Sequence, residues 1–351
     1  MKPKKQFPQI YVSGVRIFLL IVILSAFTPF STNFVGQSFS QGTRLWATYY
    51  GGTGDDLYNG VGNSVATDAS GNVYKSGNTS SAAGIASGGF DNTYGGAQDA
   101  FLVKFDASGN RLWATYYGGA SVDAAWGVAT DAAGHVYLSG ETRSAGSIAS
   151  GGFNNTYAGG QDAFLVKFNS AGARVWATYY GGALSDNGGI VATDASGNVF
   201  LAGYTESDPG IASGGFDNTQ AGQWDAFLVK FNTGGNRLWG TYYGGTGMDW
   251  GISITTDLSG NVYLTGYTDG SAGMASGGFQ NTFVGNWDAY LVKFNGTTGA
   301  RLWATYYGGT LNDYGHSVAT DASGNVYLSG LTESTSGIAS GGWDNVYGGG
   351  W

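Results

Sequence analysis

Beyond residue 43 the chain alternates short apolar runs with glycine-bounded polar turns, and the order of the runs repeats. Aligning Arg-(Leu/Val)-Trp-(Ala/Gly)-Thr-Tyr-Tyr-Gly-Gly puts Trp46, Trp113, Trp176, Trp239 and Trp303 in register, 67, 63, 63 and 64 residues apart. In the second repeat four strand-like segments are predicted at 127–130 (GVAT), 135–142 (HVYLSGET), 162–168 (DAFLVKF) and 174–180 (RVWATYY). Short Gly-containing connections join the first pair and the second pair, as in hairpins with a bulge. Alternate positions of DAFLVKF put Phe164, Val166 and Phe168 on one face and Ala163, Leu165 and Lys167 on the other, so both faces are largely apolar. A sheet buried on both sides needs a neighbour on each. Sheets packed face to face around an axis meet that need, so the pattern predicts an all-β protein, a β-propeller of four-stranded antiparallel blades.

Length variation falls between the runs: four extra residues lie between Gly52 and Asp68, and one between Asn295 and Ala300. Insertions confined to loops are how stacked units tolerate length change. The repeats are expected at about 44–118, 119–181, 182–244, 245–308 and 309–351 within a propeller region 41–351. The strand before Asp68, Asp131, Asp194, Asp257 and Asp321 is expected innermost, and the Trp-Ala-Thr-Tyr-Tyr strand outermost. On that reading four blades are whole and a fifth is split between the chain ends, as in a fragment of a larger propeller.

The first 40 residues break the pattern. A basic stretch, 1–16, precedes an uncharged apolar run of 11 residues at 17–27, the length of a signal-peptide core and short of the roughly 20 residues that span a bilayer. Residues 1–40 are therefore expected to be a signal peptide and leader, cleaved near Gln41, with no membrane span after cleavage and a secreted or cell-surface location.

Glycine (64 of 351 residues) and aromatic content (15%) fit turns between packed sheets. The formal net charge is −9, and because Lys2, Lys4, Lys5 and Arg16 stand in the leader without an acid, the remainder carries −13. Nucleic acid is an unfavourable partner for that surface. With no cysteine and two histidines, thiolate and His-rich metal centres are excluded. No metal or other cofactor is expected.

The order Asp-x-x-Gly-Asn-Val-Tyr-x-x-Gly-x-Thr (68–79), Asp-Ala-Phe-Leu-Val-Lys-Phe (99–105) and Trp-Ala-Thr-Tyr-Tyr-Gly-Gly (113–119) resembles the bacterial SBBP β-propeller repeat, and the resemblance covers essentially all of 44–351. It implies a propeller, commonly in exported proteins, and supplies no catalytic residues.

A residue that returns in every repeat serves what every blade needs, so variation marks candidates for function. The Asp-x-x-Gly-Asn turns resemble calcium loops but lack further oxygen ligands, and are read as turns. Loops of about 19 residues such as 80–98 emerge at the same end as the Gly-Gly loops, making that long-loop face the expected binding face. Their recurrent Phe90 and Tyr94 are expected to plug gaps between blades. The ligand-binding candidates are Asp56, Asp123, Asp186, Asp249 and Asp313, each four residues after a Gly-Gly pair, with the nearby Tyr58, Trp126, Trp250 and Tyr314. Acids beside flat rings suit glycan binding; the competing reading has each Asp capping backbone N–H groups of its turn. His135 takes the place of a turn Asn. Glu141, Glu206 and Glu333 are acids with no fixed partner, and no nucleophile-elbow, zincin or P-loop motif is present. The expectation is an exported, non-catalytic propeller for adhesion or recognition of glycan or protein; the alternatives are a polysaccharide-acting propeller enzyme and a structural spacer in a larger surface protein.

Overall fold

The computed structural model describes residues 45–56, 64–270, 273–342 and 344–349. The leader, with its apolar run, and Tyr58 lie outside them. Described residues form β-strands, turns and coil with no helix. Strands β1 (Val65–Thr67), β2 (Val73–Thr79), β3 (Asp99–Phe105) and β4 (Arg111–Tyr117) make one antiparallel sheet in sequence order. The second contains β5 (Asp123–Thr130), β6 (Val136–Thr142), β7 (Asp162–Phe168) and β8 (Arg174–Tyr180), and the third β9 (Asp186–Thr193), β10 (Val199–Thr205), β11 (Asp225–Phe231) and β12 (Arg237–Tyr243). A fourth consists of β13 (Asp249–Thr256), β14 (Val262–Thr268), β15 (Asp288–Phe294) and β16 (Arg301–Tyr307), and β17 (Asp313–Thr320) pairs with β18 (Val326–Thr332) in a two-stranded sheet. These are propeller blades, the four-stranded ones each a meander of two hairpins and the last a single hairpin.

The blades pack face to face in chain order. One core cluster joins Tyr74, Ala100 and Leu102 of the first blade to Leu138, Phe164 and Val166 of the second. The next joins Ala163 and Leu165 to Leu201, Phe227 and Val229, and a third joins Phe200 and Leu228 to Leu264, Tyr290 and Val292. Burial on both faces is why β3, β7 and β11 read as continuous apolar runs. The first strands adjoin: Thr130, Thr193, Thr256 and Thr320 each donate a hydroxyl hydrogen bond to the carbonyl of Thr67, Thr130, Thr193 and Thr256 at 2.8, 2.8, 2.9 and 3.0 Å. This ladder places the first strand of each blade innermost.

At the outer side, the recurrent aromatics clip each blade to the next. Trp113, Trp176 and Trp239 donate their indole N–H to Ser170 O, Thr233 O and Gly296 O of the following blade at 3.1, 3.0 and 3.2 Å. Tyr117 and Tyr243 donate similarly to Ile148 O and Met274 O. Residues 45–50 repeat this relation toward the first blade, with Trp46 donating to Ala107 O at 3.1 Å and Tyr50 against Phe101 at 5.4 Å between ring centroids. They hold the position of an outermost strand for a blade preceding the first.

A second tie runs inside each blade. Lys104, Lys167, Lys230 and Lys293 on the third strands reach Asp68, Asp131, Asp194 and Asp257 in the first turns, at 3.8, 3.6, 3.1 and 3.2 Å. Each turn carboxylate is saturated locally. Asp68 accepts from the backbone N–H of Ser70 and Asn72, from the Asn72 side chain and from the Tyr74 hydroxyl. His135 reproduces the Asn contact, its Nδ1 lying 2.9 Å from Asp131 Oδ2. Burial opposes ionisation of Asp131, but hydrogen bonds from His135 and Tyr137 hold its carboxyl below the usual range.

The first strands differ from expectation. They begin at Asp123, Asp186, Asp249 and Asp313, four residues earlier than predicted in the second repeat, because a β-bulge between Ala125 and Gly127 and its counterparts keep the pairing going. Gly140, Gly203, Gly266 and Gly330 face these bulges. At Gly266 an ideal Cβ would stand 1.6 Å from the Trp250 carbonyl oxygen, so only glycine admits the carbonyl.

Candidate ligand-binding face at the blade junctions

Because strand one starts, strand two ends and strand three starts at the same end of the sheet, each junction between blades gathers residues from all three. Two are carboxylates. At the first junction they are Asp99 and Asp123, then Asp162 and Asp186, Asp225 and Asp249, and Asp288 and Asp313. The first glycine of the Gly-Gly pair lies between them: an ideal Cβ on Gly181 would stand 2.7 Å from Asp162 Oδ1 and 2.8 Å from Asp186 Oδ2. That recurrent glycine is required by two carboxylates closing on one backbone atom.

Of the candidate Asp side chains, Asp123, Asp186, Asp249 and Asp313 are placed inside these junctions and Asp56 stands before the first blade, with their acceptors used by their own chain. Asp123, 0% exposed, accepts from Gly119 N at 2.7 Å, from Ser144 Oγ at 2.8 Å and from the Thr142 hydroxyl. Asp186 and Asp313 hold the same set through Gly182, Ser207 and Thr205, and Gly309, Ser334 and Thr332. Asp56 accepts from Gly52 N, Thr79 and Ser81. One backbone N–H and two hydroxyls thus donate to each of these four carboxylates, which turns them toward their own chain. Asp249 departs from it: Gly270 replaces the serine, Thr268 turns to Gly270 O, and Asp249 Oδ1 is left buried without a hydrogen bond of normal geometry. Asp99 Oδ1 and Asp162 Oδ1 are likewise buried and unpartnered. Burial, with the facing carboxylate adding, pushes Asp99 up to about 6, Asp162 to about 7 and Asp249 to about 7; burial pushes Asp186 and Asp225 to about 6. No group of three or more metal-ligating side chains is present among the described residues.

Above the carboxylates lies a triad whose chemistry changes around the molecule. It comprises the next-to-last residue of strand two, the residue just before strand three, and the second residue of the following blade's first strand. At successive junctions the triads are Asn78, Gln98 and Ala124; Glu141, Gln161 and Asn187; Tyr204, Trp224 and Trp250; and Tyr267, Trp287 and Tyr314. In the second, Gln161 Nε2 donates to Asn187 Oδ1 at 2.5 Å and Arg143 Nε donates to Gln161 Oε1 at 3.0 Å. The third is a ring stack: Trp224 lies 6° from parallel to Trp250 at 5.5 Å between centroids, and Tyr204 touches both at 4.9 and 4.3 Å. Trp250 stacks on Tyr267 at 5.7 Å, and Tyr267 meets Trp287 at 5.5 Å and Tyr314 at 4.8 Å. Six half-buried rings thus form one connected arc over three blades.

Of the predicted aromatics, Trp250 and Tyr314 belong to this arc, whereas Trp126 sits at the bulge, beside Gly189 of the next blade. His316 occupies the same bulge position and lies 6.4 Å from Tyr314. Tyr204, Trp224, Tyr267 and Trp287 were not among the candidates. Their signal is in the repeat alignment, at columns that vary between constant neighbours.

The long loops take another course than a free binding surface. Loop 80–98 starts and ends at the junction end but runs down the outer edge of its blade, where Ser87 and Ala114 exchange backbone hydrogen bonds at 2.9 Å and Tyr116 N donates to Asp91 O at 2.9 Å. It covers an edge that would otherwise offer unpaired backbone groups. Phe90 fills the gap between Tyr117 and Phe168 of the next blade, under the Arg174 guanidinium, while Tyr94 packs on Tyr116 within its own blade. The loop's contribution to the triad is its last residue.

Blades in chain order, innermost first strands and indole clips define a β-propeller repeat protein. The model of the SBBP family, described as a beta-propeller repeat, matches residues 175–210, 238–271 and 302–337. Each match starts on an outermost strand and ends beyond the next blade's first hairpin. Among curated relatives, an uncharacterized WD repeat-containing protein, L264, of Acanthamoeba polyphaga mimivirus is 25% identical over 48% of this chain and 14% of its own length. Regulatory protein FlaEY of Caulobacter vibrioides is 27% identical over 61% of this chain and 24% of its own. The chain thus spans a quarter or less of these relatives. Among solved structures, a Dyadobacter fermentans protein of unknown function has a TM-score of 0.44 at 10% identity, covering 80% of this chain and 77% of that one. The Dos1 propeller has a TM-score of 0.32 at 9% identity, covering 79% and 68%. No helix among the described residues is long and apolar enough to cross a membrane.

Proposed function

We propose that this chain is an exported, non-catalytic recognition module that binds glycan on the aromatic arc of its third and fourth junctions. The observation that carries the reading is the conversion of one set of positions from Asn, Gln and Ala to six Tyr and Trp residues in consecutive triads while the surrounding repeat stays constant. Packing alone does not require it, since the first blades are built with small and polar residues there. Trp250 also keeps its indole N–H buried without an acceptor, a cost that a site free to vary would shed. Half-buried rings offer apolar faces to sugar C–H groups while amide and hydroxyl groups at the rim meet sugar hydroxyls. Export rests on the basic and apolar pattern of the leader.

The test is a glycan array followed by calorimetry on the hits. Trp250→Ala and Trp224→Ala are expected to weaken binding at least about tenfold. Leu258→Ala, an exposed turn residue at the opposite end of the blades, is the control. Absence of any glycan hit, or affinity indifferent to both Trp substitutions, defeats the proposal.

A further inference from the structure

Resting on the glycan reading, the second junction places a cation at the end of the aromatic arc. Arg143 follows the second strand of its blade where the other repeats have Ser80, Glu206, Asp269 and Glu333. Its backbone N–H donates to Val122 O at 3.0 Å, which fixes it at the junction. Its Nε donates to Oε1 of the buried Gln161 at 3.0 Å, and Gln161 Nε2 donates in turn to Asn187 Oδ1 at 2.5 Å. Asn187 pairs directly with Tyr204 in the register of β9 and β10, the relation in which Trp250 stacks on Tyr267 one blade on. A chain of contacts thus leads from the guanidinium to the first ring of the arc.

The terminal nitrogens of Arg143 set it apart. Arg111, Arg174, Arg237 and Arg301 donate Nη1 to loop carbonyls of their own blades. Arg143 is exposed, and among the described residues its Nη groups make no hydrogen bond and it forms no ion pair within 4 Å, Glu141 included. A guanidinium held at Nε by a neutral amide presents its remaining donors to a planar anion such as a carboxylate. The chain beyond the leader carries −13, and Glu206, Asp269 and Glu333 take the equivalent rim positions along the arc. A densely charged polyanion is therefore repelled, whereas one acidic group at this end meets a cation.

We infer that Arg143, positioned by Gln161, is a subsite for a single carboxylate, and that the preferred ligand is an otherwise neutral glycan carrying one uronic acid residue. The arc supplies stacking common to any glycan. Arg143 supplies discrimination and decides which part of the chain lies at the second junction.

The experiment compares paired hexamers of glucose and of xylose, each with and without one glucuronic acid residue, by calorimetry on the purified protein at about pH 7, where guanidinium and carboxylate are both charged. The acidic member of a pair is expected to bind about tenfold more tightly at about 0.01 M salt, and most of that advantage disappears at about 1 M, where charges are screened within about 3 Å. Arg143→Gln, at an exposed position, brings the acidic member down to the affinity of its neutral partner. Arg143→Lys keeps part of the difference, because the charge stays and the fork is lost. Trp250→Ala weakens both members. Equal affinity within the pairs for wild type, or a difference that survives Arg143→Gln, overturns the subsite and leaves the glycan reading standing. Binding of no hexamer overturns the subsite, and the array alone then decides the glycan reading.

Discussion

The paired carboxylates make the protein's stability depend on pH in an unusual direction, and Asp162 is the sharpest place to measure it. Its Oδ2 accepts from Ala158 N at 2.9 Å, its Oδ1 is buried and unpartnered, and Asp186 faces it across Gly181. Burial and then the Asp186 charge raise its carboxyl to about 7, against about 3.9 in an unfolded chain. A group whose folded pKa is raised contributes its full stability below the unfolded value and loses it as pH climbs to the folded one. Here that window runs from about pH 4 to pH 7. At about 1.4 kcal/mol for each unit, three units set an upper bound of about 4 kcal/mol, and relaxation and water penetration reduce it to about 2. Asp162→Asn keeps the acceptor for Ala158 N and removes the charge. Urea denaturation followed by tryptophan fluorescence at about pH 4 and pH 8 should find wild type less stable at the higher pH, and the variant more stable than wild type there by about 2 kcal/mol. The two should be nearly equal at the lower pH. Wild-type stability that rises across this window, or a variant with the same pH slope as wild type, would refute the shared-burial argument.

Other consequences follow from the clips. Tyr243→Phe removes one of two donors to Met274 O, leaving the Arg301 guanidinium at 2.7 Å, and should cost about 1 kcal/mol in the same denaturation assay. Lys230→Met leaves Asp194 buried without its cation and should cost about 3 kcal/mol, part of which Asp194→Asn in the same chain restores; a double variant no better than the single one would contradict the pairing. Gly266→Ala drives a methyl into the Trp250 carbonyl and should destabilise by about 3 kcal/mol or more while abolishing glycan binding; unchanged thermal stability would mean the bulge is absent.

Most of the fold was legible in the chain. Two-residue alternation in Asp-Ala-Phe-Leu-Val-Lys-Phe, the Asp-x-x-Gly-Asn turns and a constant period are local or repeated signals, and the third and fourth strands of the second blade fall at the predicted limits. The bulge at Trp126 was not legible, since nothing in Asp-Ala-Ala-Trp-Gly-Val-Ala-Thr announces that pairing continues past an extra residue. Nor was the fate of the long loops. A 19-residue segment that hydrogen-bonds down an outer edge reads in sequence like one that projects into solvent.

The sequence by itself determined the blade, its turns and the aromatic clips, because each depends on residues close in the chain or on a relation that recurs at a fixed interval. It also held the columns where repeats differ. Only the tertiary structure decided what those differences assemble into. Tyr204, Trp224 and Trp250 come from two strands and a loop end of two blades, and their contact follows from blades stacking face to face. The same stacking buries Asp123, Asp186, Asp249 and Asp313 against a second carboxylate, a long-range pairing that no local spacing encodes.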